Sequence, residues 1–257
     1  MIKKLKLPGW CYPILSLLFW VGIWWLLALL FNKPLILPTP IEVMRTVGAL
    51  AVTGVFWMSV LQSLLRISAG ILLALLLGSL LALLTVKSSI CHHLFAPLLT
   101  LFKATPVASV IFLMLIWFGR DQSPMLIALI MALPIVWSNV REGFLQTDKK
   151  LLEMASVFGL SGAKRLCYVH VPSLFPYFLA ACRSAISLAW KAGIAAEVLT
   201  NPQNTIGHFI YDAKTWGYND QLFAWTLVVI VISAGIEWGV LALLGKAQKR
   251  WEVKKDA

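Results

Sequence analysis

Charge is what this sequence has least of. Asp, Glu, Lys and Arg together make up 13% of the 257 residues, about half the share of roughly 25% in a soluble domain. Carboxylates are especially scarce, with only 11 Asp and Glu in the whole chain. A soluble fold needs more polar surface than that, and a disordered chain needs far more. Cysteine is sparse too: Cys11, Cys91, Cys167 and Cys182. Their spacing suggests no metal site, and none lies in an outer loop of the topology derived below, so no structural disulfide is expected. Four scattered histidines and few carboxylates in the apolar runs argue against a membrane-embedded enzyme. No G-x-x-x-x-G-K-[ST] phosphate loop is present, so ATP hydrolysis is not expected of this chain. No internal repeat of the kind that builds many secondary transporters is evident.

What is abundant is apolar sequence, at 60%. A membrane-crossing helix needs about 20 mostly apolar residues, and six runs supply them: Tyr12 to Asn32, Ile67 to Val86, Ser88 to Gly119, Gln122 to Val140, Ser173 to Thr200 and Gln221 to Gly245. They are long and continuous, unlike the short alternating strands of a barrel. Proline marks the segment after the first run, at Pro34, Pro38 and Pro40. Gly119-Arg120-Asp121 separates the third and fourth runs, Pro172 and Pro176 open the fifth, and Asn201-Pro202 stops it. The basic start and first run look like a signal peptide, but the run is long and no small-residue cleavage site follows, so a retained helix is expected.

The net charge of +11 points to orientation rather than to nucleic acid. With the N-terminus inside, the inner segments hold fourteen of the 22 Lys and Arg, among them Lys3, Lys4, Lys6, Lys149, Lys150, Lys254 and Lys255, and the outer segments only Lys33, Arg45, Arg120 and Lys214. Arg66, Lys103, Arg183 and Lys191 fall within or at the edge of spans. Positive charge collects on the cytoplasmic side, so a multi-pass protein of the cytoplasmic (inner) membrane with both termini cytoplasmic is expected.

The inner loop from Arg141 to Val171 is built, not slack. Asp148 suits a helix start, Leu151, Leu152, Ala155 and Phe158 form an apolar stripe, Gly159 suits a left-handed helix end, and Ser161 suits the start of a second short helix through about Cys167. The stripe either packs on the inner ends of the spans or docks a cytoplasmic partner.

Within this loop, Glu153-Met154-Ala155, three residues, Gly159, nine residues, Val169, one residue and Val171-Pro172 resemble the cytoplasmic signature of ABC importer permeases. That signature reads Glu-Ala-Ala, three residues, Gly, nine residues, Ile, one residue, Leu-Pro. Met154, Val169 and Val171 depart from it. Leu37-Pro38-Thr39-Pro40, Trp117-Phe118-Gly119, Leu188-Ala189-Trp190 and Ile206-Gly207 with Ile210 and Ala213 are similar to the nitrate/sulfonate/taurine branch.

The resemblance implies an all-α membrane protein of about six transmembrane helices with a cytoplasmic coupling-helix loop, of the type I ABC importer-like permease fold. It implies a single permease domain over 1–257, with a coupling loop at 141–172 and outer loops at 33–58 and 201–220. Implied partners are separate ABC ATPase subunits, an extracytoplasmic solute-binding protein, a second permease copy as a homodimer, and the lipid membrane, with no nucleic acid. No cofactor is implied on this chain; ATP is used by the partner subunit. Glu153, Ala155, Gly159, Leu160 and Pro172 then belong to the ATPase-coupling segment, where small Ala155 and Gly159 allow close approach. Glu153 either pairs with a basic residue of the ATPase or caps the loop internally.

Ionisable groups inside a membrane usually face an interior or a cavity. Span five holds Arg183, Lys191 and Glu197. At about 100° per residue, Arg183 and Lys191 lie roughly 80° apart and Glu197 about 120° from Lys191, so the cations share a broad sector and Glu197 points elsewhere. Span five lines the pathway in the related family, which makes Arg183, Trp190, Lys191 and Glu197 the candidate pathway residues. Lys191, the most central, either helps an anion past the midplane or pairs and snorkels. Anchoring or snorkelling accounts for Arg66 and Lys103, and His208 reads as an isolated, exposed outer residue. Thr39-Pro40-Ile41-Glu42 is a capping box with Pro at the first helical position, starting a short outer helix to Leu50.

The expected function is the pathway subunit of an ATP-driven importer for a small solute, with an anion such as a sulfonate, taurine or nitrate favoured. A vitamin precursor or other heterocycle is the alternative cargo, and an ion-coupled secondary transporter the competing class.

Overall fold

The computed structural model describes residues 11–33 and 35–253. Lys3, Lys4, Lys6, Lys254, Lys255 and Pro34, all used above, lie outside them. The described residues form ten helices and no strand: α1 (Cys11–Phe31), α2 (Pro40–Ala51), α3 (Gly54–Lys87), α4 (Ser89–Ala104), α5 (Val107–Leu145), α6 (Lys149–Val157), α7 (Gly162–Arg165), α8 (Val171–Thr200), α9 (Ile206–Trp216) and α10 (Asn219–Val253). A π turn over Leu166–His170 joins α7 to α8 without a break. Pro172 and Pro176 in the following turns lack the amide donors that an α-helix would use there, and the Val171 amide reaches back to the Leu166 carbonyl instead.

Five described helices are long and apolar enough to cross a membrane, against the six spans expected. The reason lies at Gly119. Its φ of 77° divides α5 into two arms. A straight helix of its 39 residues would be about 58 Å long. Instead, Ile111 and Met131 share one apolar cluster, although they would sit about 30 Å apart on a straight helix. The Lys103 ammonium likewise reaches Ser138 Oγ at 3.3 Å. So α5 is a hairpin, and only glycine adopts this φ freely. The expected third span is itself broken, at Thr105-Pro106, into α4 and the first arm of α5. The six apolar segments are present, but as five single helices of crossing length.

The centre of the molecule is α3, the second arm of α5, and α8. Arg66 meets Asp121 and Trp137 Nε1 donates to Thr85 Oγ1, so α3 and that arm run parallel. Ser63 meets Glu197 and Ile67 lies against Gly193, so α8 runs the other way. Small residues let the backbones approach, as is usual between membrane helices. A Cβ at Gly193 would lie 2.8 Å from Ile67 Cγ1, and one at Gly78 2.8 Å from Val136 Cβ. A Cβ at Gly70 would be driven into the Met125 carbonyl. The α6–α7 knob sits at the end where α5 finishes and α8 begins; Thr147 Oγ1 is 3.4 Å from His170 Nδ1 there. The opposite end carries the hairpin tip, α2 and α9.

At that opposite end the capping box is complete. Thr39 Oγ1 accepts from the Glu42 amide and Glu42 Oε2 accepts from the Thr39 amide at 2.8 Å. The outer loop expected at 201–220 contains a helix, α9. Thr205 Oγ1 accepts from the His208 amide at its start, and Gly217 ends it in the left-handed region. Aromatic packing fixes it in place, with Trp225 stacked between Phe56 and Phe209.

Candidate functional site

Two regions carry the residues singled out from sequence: the knob between α5 and α8, and one face of α8.

The knob folds on local rules. Asp148 accepts from the Lys150 amide at 2.9 Å to start α6. Gly159, at φ 61°, turns the chain, and the Leu160 amide returns to the Ala155 carbonyl at 3.0 Å. Arg165 Nη2 donates to the Leu152 carbonyl at 3.3 Å, folding α7 back onto α6. Ala155 is 2% exposed, so it packs inward and offers no surface to a partner. That corrects the expectation that it permits close approach from outside. Gly159 is exposed, and a Cβ there would meet nothing within 4 Å; its positive φ, not space, is what asks for glycine. Glu153 is exposed, Leu160 and Pro172 half-buried. The apolar stripe is split: Ala155 and Leu152 turn in, while Leu151, Met154, Val157 and Phe158 turn out, Val157 at 85% and Phe158 at 74% exposure.

On α8 the exposed residues fall at Pro176, Ala180, Ser184, Leu188, Lys191, Ala195 and Leu199, with Arg183 beside them. Steps of four and three make this one helical face. From Pro176 to Leu199 it runs about 35 Å at 1.5 Å per residue, enough to cross a hydrocarbon core of about 30 Å. The sequence reading named Lys191 and Arg183 but missed Ser184 and Ala195 on the same face. The signal was there, as small residues seven before and four after Lys191. Among the described residues no carboxylate lies within ion-pair distance of Arg183 or Lys191; the ion pairs found are Arg66–Asp121 at 3.3 Å and His208–Asp212 at 3.4 Å.

The other two pathway candidates are corrected. Trp190 is 1% exposed and packs against α10, its Nε1 donating to the Val229 carbonyl at 3.4 Å. Glu197 is fully buried. Its Oε2 accepts from Ser63 Oγ at 2.7 Å and from the Gly207 amide at 3.2 Å, while Ser63 Oγ accepts from the Ile206 amide at 3.0 Å. It staples α8 to α3 and to the start of α9, as a buried carboxylate must be bonded to persist. Arg66 and Lys103 are also not free anchors: one pairs with Asp121 and the other donates to Ser138. His208 is not an isolated surface residue either. Its Nδ1 lies 2.6 Å from Asn201 Oδ1 and its Nε2 faces Asp212, tying the end of α8 to α9.

This helical arrangement has counterparts. The model of the binding-protein-dependent transport system inner membrane component family matches residues 70–244. The chain belongs to that family. It is a permease component of an ABC importer. It is 26% identical over 229 residues to a putative aliphatic sulfonates transport permease protein of Bacillus subtilis, covering 88% of this chain and 83% of that one. It is 25% identical to the taurine transport system permease protein of Escherichia coli, over 86% and 82%. It is 29% identical to the bicarbonate transport system permease protein of Synechococcus elongatus, over 70% and 64%. A solved amino acid ABC transporter shares the fold at a TM-score of 0.60 and 18% identity, over 76% of this chain and 94% of that one. The permease's helices are thus those of a membrane transport component.

Proposed function

We propose that this permease forms, with a second copy of itself, the pathway by which a small organic or inorganic anion crosses the cytoplasmic membrane, driven by separate ATPase subunits and fed by an extracytoplasmic solute-binding protein. The observation that carries the reading is the α8 face: a strip of small and apolar side chains long enough to cross the membrane, holding Lys191 and Arg183, with the carboxylate of the same helix turned into the core. An uncompensated cation in a membrane is costly unless it faces water or an anion. The named cargoes of three relatives, aliphatic sulfonates, taurine and bicarbonate, all carry an anionic group, which supports the same class here.

The mechanism follows from the architecture. The α6 face of Leu151, Met154, Val157 and Phe158 rests in a groove on the ATPase. ATP binding closes the ATPase pair and carries the two knobs with it. Because the π turn makes α7 continuous with α8, the movement reaches the pathway face directly, which opens alternately to the two sides. Glu153, Gly159, Leu160 and Pro172 act within this segment: Gly159 sets the turn, Pro172 the joint, and Glu153 presents a charge at the rim. The basic segments beside the knob support a cytoplasmic position for it.

Lys191→Met tests the anion reading. Lys191 is exposed, so the folded yield is expected to stay at the wild-type level while uptake of the anionic substrate falls about tenfold or more, the loss of one charge interaction of ~1–4 kcal/mol. Lys191→Arg is expected to keep most of the activity. Unchanged anion uptake in Lys191→Met would refute the role.

A further inference from the structure

A groove along α4, separate from the α8 face, opens among cations at the knob end of the bundle. α4 starts just after α3 ends at Lys87, and Ser88 Oγ caps it by accepting from the Cys91 amide at 3.3 Å. The helix shows two different outer faces. One is a ridge of large apolar side chains, Ile90, Leu94 and Leu98, all exposed, as a lipid-facing helix carries. The other is a groove of about 610 Å³. His92 and His93 line it at the knob end, and Ala96, Pro97, Thr100 and Ala104 line it beyond. Thr100 turns its hydroxyl back on the Ala96 carbonyl at 2.8 Å, which leaves the wall beyond the imidazoles apolar. From His92 to Ala104 the helix runs about 18 Å. That is close to half the thickness of a hydrocarbon core, about 15 Å, and so to the reach of one acyl chain.

Three packed helices bring charge to the mouth of this groove. The His92 ring stacks on Trp137, with centroids 6.3 Å apart, and Trp137 Nε1 donates to Thr85 Oγ1 at 3.0 Å. Arg141 lies one turn beyond Trp137 on the same face of α5, and Lys87 follows Thr85 at the end of α3. Both cations are thus about a turn or less toward the knob from the contact with His92. Glu142, beside Arg141 in the chain, accepts from Gln146 Nε2 at 2.7 Å. Among the described residues no carboxylate lies within ion-pair distance of Lys87 or Arg141. The mouth is cationic, and the groove leading from it is apolar.

We propose that this groove binds one anionic phospholipid of the knob-side leaflet, its phosphate held by Arg141 and Lys87 and one acyl chain laid along α4 from His92 to Ala104. A guanidinium grips a phosphate with paired N–H donors, and an ammonium adds a point charge. Basic pockets between membrane helices select anionic headgroups in this way. The groove favours a lipid over free phosphate, because only an alkyl chain fills an apolar wall. The bound lipid joins the ends of α3 and α5 to α4 beside the knob. The inference needs a membrane, but neither the anionic cargo nor the ATPase partner.

Native mass spectrometry of the purified permease, loaded from mixed micelles of phosphatidylglycerol and phosphatidylcholine, tests this. The wild type is expected to retain one phosphatidylglycerol per chain, with about tenfold preference over phosphatidylcholine. The Lys87→Gln/Arg141→Gln double variant is expected to lose the preference. Thr100→Trp, which fills the groove from an exposed position, is expected to lose the lipid. Excess inorganic phosphate is expected to leave the lipid in place. Equal retention of the two lipids, an unchanged preference in the double variant, retention by Thr100→Trp, or displacement by inorganic phosphate overturns the proposal. So does a disulfide between two copies of the Thr100→Cys variant, which would show the groove filled by a second copy. If the double variant does not fold, Thr100→Trp decides.

Discussion

Gly207→Val is expected to leave almost no folded permease in the membrane. A Cβ at this position would lie 2.6 Å from the Glu197 carbonyl carbon and from the Val198 nitrogen, and would collide with Glu197 Cβ as well. None of these is the flexible end of a side chain, so α9 must move off α8. The move breaks the Gly207 amide bond to Glu197 and the Ile206 amide bond to Ser63. Overpacking alone costs about 1–3 kcal/mol, and stripping partners from a buried charge adds about 3–5 kcal/mol. Together these approach the whole stability of an ordinary domain, about 5–15 kcal/mol. The check is the yield of monodisperse protein after detergent extraction. Gly48→Ala serves as the control, since nothing lies within 4 Å of a Cβ there. A wild-type yield for Gly207→Val would mean that the Glu197 staple contributes little.

Phe158→Asp has the next largest expected effect, and it acts on assembly rather than folding. Phe158 is 74% exposed beside Val157 and Met154 and supports nothing in the core, so the permease is expected to fold normally. If this face fills a groove on the ATPase, an ionised carboxylate there loses the apolar anchor and becomes buried in the interface. A central aromatic anchor is commonly worth about 2–4 kcal/mol. ATPase affinity should therefore fall about a hundredfold, and ATP-driven uptake should drop to background. The measurements are copurification of the ATPase with the permease and uptake in reconstituted vesicles. Full copurification and uptake would show that the knob docks by another face.

These two sites differ in how far the sequence reveals them. The knob was legible because its devices are local. Asp148, Gly159 and the Thr39–Glu42 box at α2 act within a few residues of themselves, and each does what its residue type dictates. Gly119 was legible as a boundary, though not as the hinge that folds one long helix back on itself. The Glu197 staple was not legible. Helical angles correctly separate Glu197 from Lys191, but they do not say which side of α8 meets α3, since that depends on Ser63 and Gly207 far away in the chain. The same limit hid the inward turn of Ala155, the Arg66–Asp121 pair and the partners of His208. The helix α9 was missed because its short segment carries two polar residues and a glycine in its first turns, and packing on Trp225 decides its state.

The central claim is that this chain is a pathway and not a motor. It is tested most directly by reconstituting it in vesicles with its candidate ATPase and solute-binding protein and measuring uptake of a sulfonate, taurine or bicarbonate with and without ATP. The account predicts uptake only when all three proteins and ATP are present. Uptake by the chain alone, without ATP, would contradict it.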